Sequence, residues 1–221
     1  MIITLSRQLG SEGDLIAARV VAALGLTLID RERVWERALA AGVPAELLQR
    51  LMYEGQRSLA AEIMDTFSGP AVRREPPAAS SNPLLSVFAP LLPPADMSLD
   101  EAARTVGLVI KDLASQDNVL VLGQGGQCWL RGYPGACHVQ VVAPLDIRVA
   151  RVAAREHLSL AAARRRVRIS DQARAEYLLR FHDVRWLDPL LYHLVINTGQ
   201  TTVEAAVSLI VHAAHAVAQN P

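Results

Sequence analysis

The chain has 221 residues and a mass of 24.0 kDa, 51% hydrophobic and 20% charged, with 22 basic and 22 acidic side chains. This composition excludes a disordered chain and is ample for one large buried core. No run of about eighteen apolar residues occurs, which excludes a membrane-spanning helix, and the balanced charge argues against a general nucleic-acid binder.

Met1 to Gly10 read as a strand and a turn rather than a secretory leader, and two cysteines, Cys128 and Cys137, fit neither a disulfide framework nor a zinc signature. A cytoplasmic protein with two partly buried thiols is the expectation. Lys111 is the single lysine among the basic residues; all the others are arginine. Chemistry that needs a lysine must use that one or do without.

In chain order, Ile2 to Leu5 form a short β-branched run ending at Ser6, and Gly10 to Gly13 make a turn. Leu15, Ile16, Val20, Val21 and Leu24 recur at helical spacing until Gly25 stops the helix. Leu26 to Ile29 predict a second strand closed by Asp30, followed by helices over 31–41 and from Pro44 to about Phe67. The stretch 69–97, with seven prolines and paired serines, reads as an insert whose cluster Leu84, Leu85, Val87, Phe88, Leu91 and Leu92 should pack on something. It could serve a homodimer or another partner.

Ser98 followed by Glu101 is a capping box that opens a helix to about Ser115. Val119 to Leu122 predict an apolar strand running into Gly123-Gln124-Gly125-Gly126, and His138 to Val142 another. A helix begins at Pro144, an arginine-loaded one spans roughly Ser159 to Phe181, and Leu194 to Asn197 and Thr202 to Val217 give the last strand and helix. Apolar strands alternating with helices imply a parallel sheet covered on both faces, a three-layer α/β fold.

In such sheets ligands bind beyond the carboxyl ends of the strands. The first strand end has the layout of a phosphate-binding loop: strand, then Ser-Arg-Gln-Leu-Gly-Ser-Glu-Gly-Asp, then helix, with backbone N–H groups and a helix N-terminus offered to an anion. Glu12 and Asp14 beside it would repel phosphate. Arg164, Arg165, Arg166 and Arg168, with Arg174 further on, crowd one helix, and the three-residue steps Arg165–Arg168–Asp171–Arg174 predict a shared face. Guanidinium groups there could clamp polyphosphate oxygens; a solvated basic face is the plainer reading. The histidines show no metal-ligand spacing, so no metal site is assigned to side chains, and Trp129, Trp186 and Tyr133 read as core or subunit contacts.

Taken together, Ile3 to Gly13 resemble the opening of the cytidylate kinase-like proteins, a branch of the P-loop nucleoside monophosphate kinases. Leu28-Ile29-Asp30-Arg31-Glu32 resembles that family's second strand and Asp-Arg-Glu turn, and Val121 to Gly125 its Gly-Arg-Gly strand end. Val142 to Val149 resemble the junction before the lid, Asp171 to Tyr177 the lid, and Tyr192 to Thr198 the final strand. The resemblance covers nearly the whole of 1–221 as one domain, with 69–97 as insert and 158–185 as lid region. It implies ATP-dependent phosphorylation of a nucleoside monophosphate or similar small acceptor, with ATP and Mg²⁺ as cofactors and nucleotides, rather than nucleic acid or membrane, as partners.

By position, the resemblance implies that Gly10, Ser11, Glu12 and Gly13 cradle the donor phosphates, with Arg7 alongside. Asp30, Arg31, Gly123, Gln124 and Gly125 would face the acceptor. Arg165, Arg168 and Arg174 would close over the transferring group, oriented by Asp171, and Asn197 and Thr198 would border the donor base. The sequence departs from this pattern in three places. The usual phosphate-loop lysine and the hydroxyl after it are missing, Asp14 stands where relatives often have arginine, and Gln124 replaces the cation of the Gly-Arg-Gly turn. Arg7 could swing over the loop in place of the lysine, or pair with Glu12 or Asp14; those acids could instead hold Mg²⁺. The competing reading is a nucleotide-binding pseudokinase acting as sensor or scaffold.

Overall fold

A computed structural model describes residues 1–53 and 97–219. Five strands, β1 (Ile2–Arg7), β2 (Thr27–Ile29), β3 (Val119–Leu122), β4 (Ala136–Val142) and β5 (Leu194–Asn197), form one parallel sheet in the order β2-β3-β1-β4-β5. The helices are α1 (Gly13–Leu24), α2 (Arg31–Ala40), α3 (Ala45–Tyr53), α4 (Leu99–Ala114), α5 (Gly126–Trp129), α6 (Leu145–Glu156), α7 (Leu160–His182) and α8 (Val203–Gln219), with a 3₁₀ turn at Pro189–Leu191. None is long and apolar enough to cross a membrane among the described residues. The expected insert lies outside those residues apart from Met97, as do the expected helix beyond Tyr53 and the apolar cluster Leu84 to Leu92.

Strand alternation divides the core into two layers. Ile3, Leu5, Leu120, Leu122, Val139 and Val141 face Ile16 and Val20 of α1 and Ile210 of α8. Ile2, Val119, Val121 and Ala136 face the other way, against Val34 of α2, Leu48 of α3 and Ile110 of α4. A smaller cluster, Val149, Val152, Ala163 and Val167, zips α6 to α7 and touches Leu9. Burying each such valine contributes about 1.5–3 kcal/mol, so α7 is held over the end of the sheet by its packing on α6.

Local signals set the boundaries. Gly25 caps α1 in the left-handed region at φ 63°, as its position after the last apolar residue predicts. The Ser98 capping box forms: Glu101 N donates to Ser98 Oγ at 3.2 Å and Ser98 N to Glu101 Oε2 at 2.7 Å. Strand β4 begins at Ala136, two residues before the sequence expectation, because Ile2 and Ile3 of β1 extend the ladder to Ala136 and Cys137. All strands run the same way, so their carboxyl ends, at Arg7, Ile29, Leu122, Val142 and Asn197, share one edge. The candidate site lies along it.

Candidate phosphate-transfer site

Between β1 and α1 the chain makes a tight loop, with Ser11 N and Ser11 Oγ both donating to Gln8 O at 3.2 and 2.7 Å. The next three carbonyls also have donors. Leu9 O accepts from Arg148 Nη1 at 3.4 Å, Gly10 O from Arg151 Nη1 at 3.3 Å, and Ser11 O from Thr198 Oγ1 at 2.9 Å. Four successive carbonyls are thus tied down by the loop itself, by α6 and by the residue after β5. Glu12 holds the N-cap position at φ 64° without a side-chain cap, and the first backbone bond back into the helix is Ile16 N to Glu12 O at 3.0 Å. The N–H groups of Gly13, Asp14 and Leu15 are therefore left for an external acceptor, the electrostatic shape of an anion nest.

Arg7 crosses this loop. Its stem passes Gly13, where a Cβ would overlap the Arg7 Cβ, and its Nη1 lies 2.5 Å from the place a Cβ would take on Gly123. Gly13 makes room for the stem and Gly123 lies beside the head, so the guanidinium occupies the seam between this loop and the β3 turn. There it meets Asp14: Nε donates to Oδ1 at 3.0 Å, and Nη2 lies 2.9 Å from the same oxygen.

Arg174 approaches from α7. Its Nη1 donates to Ser170 O at 2.9 Å, and its Cζ sits 5.8 Å from the centre of the Trp186 ring. Burial, then the like charge of Arg7, lowers its pKa to about 10, and Asp171 and Asp14 oppose the fall. Two guanidinium groups close enough to repel are the makings of an anion slot. Trp186 is itself fixed, with Nε1 donating to Ser6 Oγ at 2.9 Å and its carbonyl accepting from Tyr192 OH at 2.8 Å. The indole thereby ties the Arg174 region to the last turn of β1.

Beyond the ends of β2 and β3 a cavity of about 520 Å³ is lined by Arg7, Asp30, Arg31, Glu32, Trp35, Gln49 and Leu122. Asp30 also caps α2, accepting from Arg33 N at 3.0 Å. Gly123, Gln124 and Gly125 form a left-handed turn at φ 76°, 57° and 69° beside this cavity's Arg7.

Several sequence expectations need correction. Arg165, Arg168, Asp171 and Arg174 do not share one face of α7: at 3.6 residues per turn each three-residue step falls about 60° short of a full turn, so three steps sweep about 180°. Arg174 and Asp171 lie on the stripe of Val167 and Leu178 and face the site, whereas Arg165 and Arg168 are exposed. Asp171 does orient an arginine, but it is Arg148 of α6, at 2.9 Å; burial raises the Asp171 pKa against the pull of that partner. Thr198 is buried with its hydroxyl committed to the loop carbonyl of Ser11, so it braces the loop, whereas Asn197 is exposed and its Oδ1 accepts from Gly199 N at 2.9 Å within the turn after β5.

The sequence reading missed Arg148, Arg151, Trp35 and Gln49, and took Trp186 only as a core or subunit contact. Arg148 had a legible signal: it lies in register with Leu145, Val149 and Val152, and an arginine inside an apolar stripe is a buried one. It is 4% exposed and also donates from Nε to Ala143 O at 2.9 Å.

For the implied cofactors, the nest of N–H groups with Arg7 and Arg174 suits a polyphosphate. No group of three or more His, Cys, Asp or Glu that could hold a metal exists among the described residues. Glu12 is 3.6 Å from Arg151 and Asp14 pairs with Arg7, so a magnesium ion would draw most of its shell from phosphate oxygens and water.

A parallel β2-β3-β1-β4-β5 sheet with an anion nest after its first strand defines a P-loop kinase-like protein. The chain matches the cytidylate kinase-like family over residues 2–200, and it belongs to that family. A cytidylate kinase of Haloarcula marismortui is 26% identical over 114 residues, 52% of this chain and 59% of that one. A cytidylate kinase of Sulfolobus acidocaldarius is 31% identical over 102 residues, 46% and 56% of the two chains. The chain thus spans somewhat more than half the length of these curated relatives. A crystal structure of an uncharacterized protein from Eubacterium ventriosum shares the fold, with TM-score 0.68, 17% identity and 98% coverage of both chains.

Proposed function

We propose that this protein transfers the terminal phosphoryl group of ATP to a small phosphate-bearing acceptor of the cytidylate kind, with Arg7 doing the work of the missing loop lysine. The observation that carries this reading is the place of Arg7, at the seam between the phosphate loop and the Gly123 turn, within electrostatic range of Arg174. A group passing from donor to acceptor must cross that seam. Backbone N–H groups of Gly13 to Leu15 would hold the donor phosphates, Arg7 and Arg174 would sit against the moving group, and Asp30 and Arg31 would face the acceptor across the cavity. An acceptor oxygen forms its bond to the γ-phosphorus as the bridging bond to ADP breaks, and charge spreads over the equatorial oxygens, where positioned cations act. Mg²⁺ carried with the nucleotide would neutralise part of that charge.

The alternative, a nucleotide-binding pseudokinase, draws support from the Arg7–Asp14 pair and from Gln124 at the acceptor turn. ADP formation from Mg-ATP, with each nucleoside monophosphate in turn, separates the two. Acceptor-dependent turnover that falls by roughly a thousandfold in Arg7→Ala and Arg174→Ala supports the kinase, since one phosphoryl-facing arginine is worth about three decades or more. Nucleotide-induced thermal stabilisation without turnover supports the pseudokinase.

A further inference from the structure

We infer that Asp14 is a resident counter-anion of the phosphate site, a carboxylate that holds Arg7 until a polyphosphate displaces it and so sets how tightly the site takes one. The inference rests on the phosphate-loop reading above. Asp14 is the second residue of α1, where the helix N-terminus favours negative charge for the same reason that it favours phosphate. Both Nε and Nη2 of Arg7 converge on one Asp14 oxygen, at 3.0 and 2.9 Å. This is the approach a guanidinium would otherwise offer to a phosphate.

The two partners differ in freedom. The Arg7 side chain is 20% exposed, with Gly13 and Gly123 pressed against it, whereas that of Asp14 is 61% exposed. The arginine is therefore the fixed element, and the carboxylate can swing into water without moving backbone. Arg174 feels the same competition, attracted by Asp14 and repelled by Arg7. With the carboxylate in place the two cations have a local counter-charge. An incoming polyphosphate must break that pair and then tolerate the displaced carboxylate beside it. A positive residue at position 14 would help anion binding; aspartate makes it conditional on a ligand with enough charge to win the guanidinium.

Isothermal titration with inorganic tripolyphosphate in EDTA, on the full chain, tests this. Asp14→Asn is expected to bind about tenfold tighter than the wild type, and Arg7→Ala weaker. In the double variant Arg7→Ala/Asp14→Asn most of the gain should be lost, because the larger part comes from freeing Arg7 and only the remainder from removing a negative charge beside the bound anion. Equal or weaker binding by Asp14→Asn, or the same gain without Arg7, overturns the inference. Weaker binding by Arg7→Ala with no change in Asp14→Asn sinks the counter-anion and leaves the phosphate-loop reading standing. Absence of binding by the wild type and every variant sinks both.

Discussion

Helix α6 and the first turns of α7 both carry arginines, and they use them in opposite ways. On α6, Arg148 and Arg151 reach into the molecule. Arg148 bonds Ala143 O, Leu9 O and Asp171, while Arg151 bonds Gly10 O and Thr198. On α7, the eye-catching run Arg164 to Arg168 is largely solvent-facing, with Arg164 paired to Asp146 and Arg166 to Glu156. Density of charge is therefore the wrong guide. What matters is whether an arginine falls in the helix's apolar register, because that decides whether its guanidinium meets carbonyls or water.

The sharpest way to break this contrast is to remove Arg148. Arg148→Ala leaves the largely buried Asp171 carboxylate unpaired and strips donors from Leu9 O and Ala143 O, which should cost about 3–5 kcal/mol in urea denaturation. A loss under about 1 kcal/mol would mean that α7 and the loop are held by packing alone.

A second test uses a buried group that has no acid to pair with among the described residues. His138 shares a hydrogen bond between Nδ1 and Thr4 Oγ1 at 2.9 Å, and burial, then the neighbouring His193, lowers its pKa to about 4. Below the ordinary value of 6.5 the unfolded chain takes up a proton that the folded one refuses, so stability is intact above pH 6.5 and falls as pH drops toward 4. His182, lowered by burial, adds to the same trend. The His138 contribution should be about 3 kcal/mol over that window, and His138→Gln should flatten the pH dependence of the urea midpoint. Parallel profiles for the two proteins would show that His138 accepts its proton in the fold.

The smallest effect is expected at Arg168. It is exposed, and no hydrogen bond or ion pair holds its side chain among the described residues. Arg168→Ala should shift stability by no more than about 0.5 kcal/mol and leave turnover within about threefold. A loss of turnover matching that of Arg174→Ala would place Arg168 against the transferring group after all.

Much of this architecture was legible in the chain. The β-branched runs, Gly25 and the Ser98–Glu101 box located strands and helix ends because they act within a few residues. The turn at Gly10 to Gly13 was legible for the same local reason. The face of the arginine helix is not legible from its charges, because a three-residue step is less than a full turn; the apolar positions Ala163, Val167 and Leu178 mark the inward face.

The sequence by itself determined the elements, the parallel three-layer fold and the family, since periodicity, caps and ordered motifs are properties of neighbouring residues. Only the tertiary structure decided which charges meet. That Arg7 lies against Gly123 as well as Gly13 depends on strands β1 and β3 being adjacent, although Arg7 and Gly123 are more than a hundred positions apart. That Arg148 joins the β1–α1 loop to Asp171 depends on α6 packing against α7. Electrostatic partners are fixed by distance in space, and the chain orders its residues only along its length.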